Sequence, residues 1–200
     1  RSLTLIRPPD HLNTARLCLR AWAPDDATQL AHTLADSDAH LRPWTPWVID
    51  GRLPGQSLEE RIAQQVADFR DGTAWVYALR TRDGPALLGG CGLHARVGEG
   101  ALELGYWLAR GATGHGYARE GAGALTALAL SWPSIKRVEI RCDPRNAASM
   151  TVPRHLGYRT TGTVPNALDT LHPLIVWSLT RTDALGPTPD AVRSAGGNHR

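Results

Sequence analysis

The stretch from Ala74 to Ala109 constrains the fold more than any other part of the chain. Three runs with strand character, Ala74 to Leu79, Leu87 to Val97 and Ala101 to Ala109, are separated by two turns, Arg82-Asp83-Gly84 and Gly98-Glu99-Gly100. Connections this short leave no room for a crossover, so the three runs pair antiparallel with their neighbours. The middle run is thinned by Gly89, Gly90 and Gly92. The sheet they begin needs further strands and a covering layer, and the remaining sequence supplies both.

Arg16-Leu17-Cys18-Leu19-Arg20 alternates polar and apolar residues as a half-buried strand does. Pro24, Asp25 and Asp26 open a helix with Ala27, Leu30, Ala31 and Leu34 at its apolar positions, and acidic residues in a first turn complement the helix dipole. A proline- and tryptophan-rich stretch, His40 to Trp47, follows. Ser57-Leu58-Glu59-Glu60 has the pattern of a capping box. Ile62, Val66 and Phe69 continue at helical spacing until Gly72 ends the run. Beyond the meander, a helix spans about Tyr117 to Trp132, stopped by Pro133. Then come a strand from Arg137 to Cys142, a helix from Ala147 to Leu156 closed by Gly157, and strands from Tyr158 to Val164 and Leu174 to Leu179. The order is strand, two helices, three strands, helix, strand, helix, two strands, which predicts one mixed α/β sheet.

The chain has 200 residues, which suits one domain. Its 42 % hydrophobic and 20 % charged residues exclude a disordered chain. We expect the domain to cover 1–182 and the Gly-, Pro- and polar-rich segment 183–200 to be a flexible tail. A net charge of +3 is mild, and the basic residues form neither a run nor a nucleic-acid-binding module, so nucleic acid is not the expected partner. Cys18, Cys91 and Cys142 form no CxxC pair; this argues against a disulfide framework or a zinc site and fits a cytoplasmic protein. The histidines and cysteines show no ligand spacing, so no metal is expected. No run of about 18 apolar residues marks a membrane span, and Arg1 to Pro9 lacks the apolar core of a signal peptide.

Chemistry concentrates after the third strand of the meander. The strand leads into Thr113-Gly114-His115-Gly116-Tyr117-Ala118 and then a helix. Glycines let several backbone N–H groups converge, and a helix start adds partial positive charge, which together can cradle a diphosphate. A flexible strand-to-helix turn would look the same from the glycines alone. A Walker loop is excluded because no Gly-Lys-Ser/Thr follows, and GxGxxG is absent.

Several motifs extend this reading. Glu103-Leu104-Gly105-Tyr106-Trp107-Leu108, followed by Gly114-His115-Gly116-Tyr117-Ala118-Arg119-Glu120, resembles the acetyl-CoA signature of GNAT-superfamily N-acetyltransferases of the RimJ/RimL-like, ribosomal-protein acetyltransferase branch. Asn146-Ala147-Ala148-Ser149 and His155-Leu156-Gly157-Tyr158 resemble that branch's Asn-x-x-Ser and Leu-Gly-Tyr/Phe elements, and His40-Leu41-Arg42-Pro43-Trp44-Thr45-Pro46-Trp47 its proline–tryptophan segment. The resemblance covers about Arg16 to Arg181. It implies a mostly antiparallel sheet of about seven strands with about four helices, splayed between the fourth and fifth strands. It also implies direct transfer of acetyl from acetyl-CoA to a primary amine, either a ribosomal-protein N-terminus or a small molecule, and allows a homodimer. Another acyl-CoA donor, with room left by Gly89 and Gly105, and a non-catalytic acyl-CoA-binding module are the alternatives. Two positions depart from the pattern. Thr113 stands where Gln or Arg usually opens the loop. Pro153 stands seven residues after Asn146, where many relatives carry a tyrosine general acid, so that role is absent.

The resemblance assigns acetyl-CoA to Trp107, Leu108, Thr113, Gly114, His115, Gly116, Tyr117, Ala118, Arg119 and Asn146. Glu103 is the candidate base, facing the same side as Gly105 and Trp107; it also reads as an ion-paired strand carboxylate. Ser149 is the candidate proton donor or water-ordering group near the sulfur, or a serine serving local backbone. Asn146 reads equally as a helix cap. Trp44 and Trp47 read as walls of the acceptor site or as packing. His94 reads as a structural histidine near the acceptor. Cys142 reads as a small core residue at the thioester end of its strand, with a covalent acetyl-cysteine route as the other possibility.

Overall fold

The computed structural model describes residues 7–45 and 55–185. In chain order its strands are β1 (His11–Asn13), β2 (Leu17–Ala21), β3 (Ala74–Thr81), β4 (Leu87–His94), β5 (Ala101–Leu108), β6 (Arg137–Cys142), β7 (Arg159–Val164) and β8 (Leu174–Thr180). The helices are α1 (Ala27–Leu41), α2 (Leu58–Asp71), α3 (Tyr117–Ser131), α4 (Ala147–His155) and α5 (Arg181–Leu185). All eight strands form one sheet in the order β1-β2-β3-β4-β5-β6-β8-β7. The expected meander is present: Ala74 to Arg80 pair with His94 to Leu87, and Gly89 to His94 pair with Leu108 to Glu103, both antiparallel.

One junction differs from the rest. β5 and β6 are parallel and pair only at Ala101↔Arg137, Leu102↔Val138 and Glu103↔Glu139. Past that point 104–108 stays bonded to β4 while 140–142 stays bonded to β8. The sheet therefore opens as a fork, at the junction where the splay was expected.

Alternation along the strands gives the sheet two apolar faces. Leu17, Leu19, Tyr77, Leu79, Leu93, Leu104, Val138 and Ile140 pack with Leu125 and Ala129 of α3 and Val152 of α4. Gly121 lets α3 lie close: a Cβ there would fall 3.1 Å from Leu79 Cδ2. On the other face Val76, Ala78 and Trp107 pack with Leu30 and Leu34 of α1 and Ile62 of α2. The capping box forms as expected: Glu60 N donates to Ser57 Oγ at 3.1 Å and Ser57 N to Glu60 Oε2 at 2.8 Å. Gly72 closes α2 at φ 77°, a left-handed conformation.

Three elements differ from the sequence reading. β1 pairs with β2 although its three residues, with Leu12 alone apolar, are too few to signal a strand. The second meander strand ends at His94, not Val97. Pro24–Asp26 form a separate 3-10 turn before α1, and Asp26 is buried, accepting from Arg20 at 2.6 Å and Arg80 at 2.9 Å. Its charge serves these ion pairs. After β8, Thr180 and Asp183 exchange hydrogen bonds at the start of α5. Residues 186–200 of the expected tail, and Trp47, lie outside the described residues. Among the described residues no helix is long and apolar enough to cross a membrane.

Candidate active site

The glycine loop lies at one mouth of the fork. Gly114 and Gly116 adopt φ 79° and 77°, conformations that side-chain-bearing residues rarely take. Gly116 is the N-cap of α3 and brings no side chain to the helix start, so the first-turn N–H groups are not capped by it. Thr113 Oγ1 donates to Arg110 O at 3.0 Å, which ties its side chain into the loop. The His115 ring stacks on Tyr117, with centroids 5.5 Å apart and planes at 9°. Two guanidinium groups flank the turn: Arg16 Nη2 and Arg119 Nη2 lie 3.5 and 3.8 Å from where a Gly116 Cβ would be. Arg16 is braced from several sides. It donates to His115 O at 2.9 Å, pairs with Glu120 at 2.7 Å, and sits 4.8 Å from the Tyr117 ring centre.

On the α1/α2 face, Glu103 is the last residue of β5 paired to β6. Arg96 holds its carboxylate in a two-pronged pair at 2.9 and 3.0 Å, and Arg141 Nη1 stands 4.0 Å away. Burial pushes the carboxyl up, but the Arg96 hydrogen bonds and charge, with Arg141 behind, hold it below the usual range. His94 is directly opposite Glu103 in register. Burial, reinforced by Arg96, pushes its imidazole down to about 4, so the ring is neutral near pH 7. Gly105, two residues along the same face, meets nothing within 4 Å of a built Cβ. Trp107 instead lies against Gly90, where a Cβ would fall 2.5 Å from the indole Nε1.

On the opposite face the fork is neutral. Tyr106 from β5 and Cys142 at the end of β6 both reach Ser149 in the first turn of α4. Ser149 Oγ donates to Tyr106 Oη at 3.3 Å and lies 3.5 Å from Cys142 Sγ. Tyr106 Oη donates to the Ser149 carbonyl at 2.8 Å. Asn146 is the N-cap of α4, its Oδ1 accepting from Ser149 N at 3.1 Å. Burial raises both the Tyr106 phenol and the Cys142 thiol, so both keep their protons near pH 7.

The fold thus gathers Glu103, Gly105 and Trp107 on one side of the fork and Ser149, Asn146 and Cys142 on the other, with the loop residues 113–116 between β5 and α3 and 117–119 in the first turn of α3. Trp44 lies half-buried in the turn after α1. Sequence reasoning did not find Arg16, Arg96 or the role of Tyr106. Arg16 and Glu120 are 104 positions apart and Tyr106 and Ser149 are 43 apart, so no local pattern signals either pair.

Residues 16–159 match the acetyltransferase (GNAT) domain family. The chain is 25 % identical over 153 residues to the uncharacterized N-acetyltransferase p20 of Bacillus licheniformis, covering 76 % of this chain and 83 % of that one. Its fold is similar to Mycobacterium smegmatis RimJ in complex with CoA-disulfide, with TM-score 0.69 and 21 % identity over 90 % of this chain and 89 % of that one. It is also similar to the microcin C7 self-immunity acetyltransferase MccE in complex with acetyl-CoA and AMP, with TM-score 0.77 and 16 % identity over 87 % and 98 % of the two chains. With the family matched across the forked sheet, the glycine loop and the Asn146–Ser149 turn, the chain belongs to the GNAT acetyltransferases.

Proposed function

We propose that this acetyltransferase moves an acetyl group from acetyl-CoA directly to a primary amine held in the same complex. The observation that carries the reading is the fork. The loop 113–116 and the uncapped start of α3 follow β5 at the end where it has parted from β6, and a carboxylate and a hydroxyl occupy the two faces of the fork. The loop fits a diphosphate, because its positive-φ glycines and two flanking guanidinium groups present N–H donors and charge. Thr113, Gly114, His115, Gly116, Tyr117, Ala118 and Arg119 would hold the diphosphate, largely through backbone. Trp107, Leu108 and Asn146 would line the arm that runs into the fork. Structures of the similar RimJ and MccE contain CoA-disulfide and acetyl-CoA, respectively.

When bound, acetyl-CoA supplies an activated thioester carbonyl, and this chain's residues manage the protons. A carboxylate held as low as Glu103 is a weak base toward a free ammonium. The nitrogen becomes more acidic as its bond to the carbonyl carbon forms, and Glu103 then accepts its proton through a water. Ser149 meets the departing sulfur with its hydroxyl. Trp44, half-buried in the turn after α1, walls the acceptor. The acceptor is a protein N-terminal α-amine or a small amine. A longer acyl group is the second reading, favoured by the open space at Gly105. Gly89 gives it no support, because a Cβ there would fall 2.0 Å from Trp107 O.

Calorimetric titration with acetyl-CoA, followed by a panel of peptides and small amines with CoA release as the signal, tests the reading. Binding with amine-dependent release is expected. Failure to bind acetyl-CoA would overturn the assignment of the loop, and binding without release on every amine would overturn direct transfer.

A further inference from the structure

Pro153 lies inside α4, four residues after Ser149. In an α-helix the carbonyl of one residue accepts from the N–H four positions on, and proline has none. The Ser149 carbonyl is therefore orphaned by the sequence of its own helix. The group that satisfies it comes from across the fork: Tyr106 Oη donates to it at 2.8 Å, with Cys142 Sγ more distant at 3.7 Å. The same phenol oxygen accepts from Ser149 Oγ at 3.3 Å. Together with the Asn146 cap on its N–H, all three polar groups of Ser149 are fixed from outside the regular helix ladder. β5 and β6 no longer pair at this level, so Tyr106 is the tie that joins β5 to the start of α4.

We propose that Tyr106 is a positioning residue that takes over the hydrogen bond denied by Pro153 and so sets the Ser149 hydroxyl at the fork to receive the leaving thiolate. This rests on the transfer reading above. As the C–S bond breaks, its electron pair stays on the CoA sulfur. The Ser149 O–H turns from its resting acceptor, Tyr106 Oη, and donates a hydrogen bond to that sulfur without losing its proton. The proton released by the amine leaves through the water at Glu103, and the thiolate departs or is protonated from solvent. Tyr106 keeps its own proton on the Ser149 carbonyl throughout. The position that holds a tyrosine acid in many relatives thus carries Pro153 here, and a tyrosine on the neighbouring strand works through a serine.

The test uses the 200-residue chain and four readouts: turnover, acetyl-CoA affinity, thermal stability, and the thiol pKa of bound CoA followed by thiolate absorbance. Wild type should hold the bound thiol about one pH unit below the free thiol, a tenfold preference for the thiolate. Tyr106→Phe and Ser149→Ala should each return it toward the free value and lower kcat about tenfold, with acetyl-CoA affinity changed less than about twofold. The double variant should be no worse than Ser149→Ala. Pro153→Ala in the Tyr106→Phe background returns an N–H to the Ser149 carbonyl. It should recover thermal stability while leaving the thiol pKa and kcat impaired. Full recovery of all three would make Tyr106 a helix brace only and overturn the proposal. So would a Tyr106→Phe variant with unchanged kcat and thiol pKa. If wild type binds no CoA, the transfer reading fails first and takes this proposal with it.

Discussion

The two faces of β5 treat their polar groups in opposite ways. Glu103 is charged and clamped by the Arg96 guanidinium at 2.9 and 3.0 Å, with a neutral histidine across from it. Three residues on, Tyr106 faces an assembly of hydroxyls and a thiol that carries no formal charge. The difference follows from cover. Arg96 is 61 % exposed and brings solvent-facing charge to the Glu103 side. The Tyr106 side is packed under α3 and α4, where an unpaired charge would be costly. A single strand thereby offers one side suited to a proton leaving an amine and another suited to a sulfur that gains charge only briefly.

The largest expected effect lies at the shared mouth of both faces. Gly116→Val forces a β-branched residue into φ 77° and should weaken acetyl-CoA binding tenfold or more by calorimetry. Near-normal affinity would remove the loop from the binding site. Next, Ser149→Ala should lower kcat about tenfold, the range of a hydrogen bond to a charged group, and do so less with an acetyl thioester of a more acidic thiol. An equal loss with both donors would separate Ser149 from the sulfur. Third, Glu103→Gln should lower kcat severalfold with acetyl-CoA affinity nearly intact; wild-type turnover would end its role as base.

The pH profile sharpens the same contrast. Glu103 is held low and His94 lies at about 4, so neither changes charge between about pH 6 and 8. kcat/KM should rise with pH and level off at the acceptor amine's own pKa. A further inflection near pH 6.5 would expose a titrating group on the charged face. The smallest effect concerns stability. Glu103's carboxyl is lower in the folded protein than its unfolded value of about 4.3. The stabilisation is therefore present above that pH and lost as pH falls through the folded value. Arg96→Ala should lower Tm slightly at neutral pH, with the gap to wild type closing in acid. A gap that persists there would mean packing, not charge.

Local patterns made much of the fold legible. The two turns of the meander, the Ser57–Glu60 capping box and the glycine loop are set by neighbours in sequence, and all appear where expected. β1 was not legible, because a strand of two exposed polar residues around one half-buried leucine exists only through its pairing with β2. Glu103 and Ser149 could be named as candidates from motif and alternation, but their electrical surroundings could not. Arg96 reaches Glu103 because β4 ends at His94 and the chain turns back into β5 in this register.

The sequence by itself determined the order of strands and longer helices from β2 to β8, the antiparallel meander, the positive-φ turn ahead of α3 and the absence of an N–H at residue 153. Each depends on backbone chemistry within a few residues. Only the tertiary structure decided that the carbonyl left free by Pro153 would find Tyr106, that Arg16 would brace the loop through Glu120, and that the sheet would part after Glu103. Those outcomes join residues 43 and 104 positions apart. They follow from strand register and helix packing, which bring distant groups together only once the whole sheet has formed.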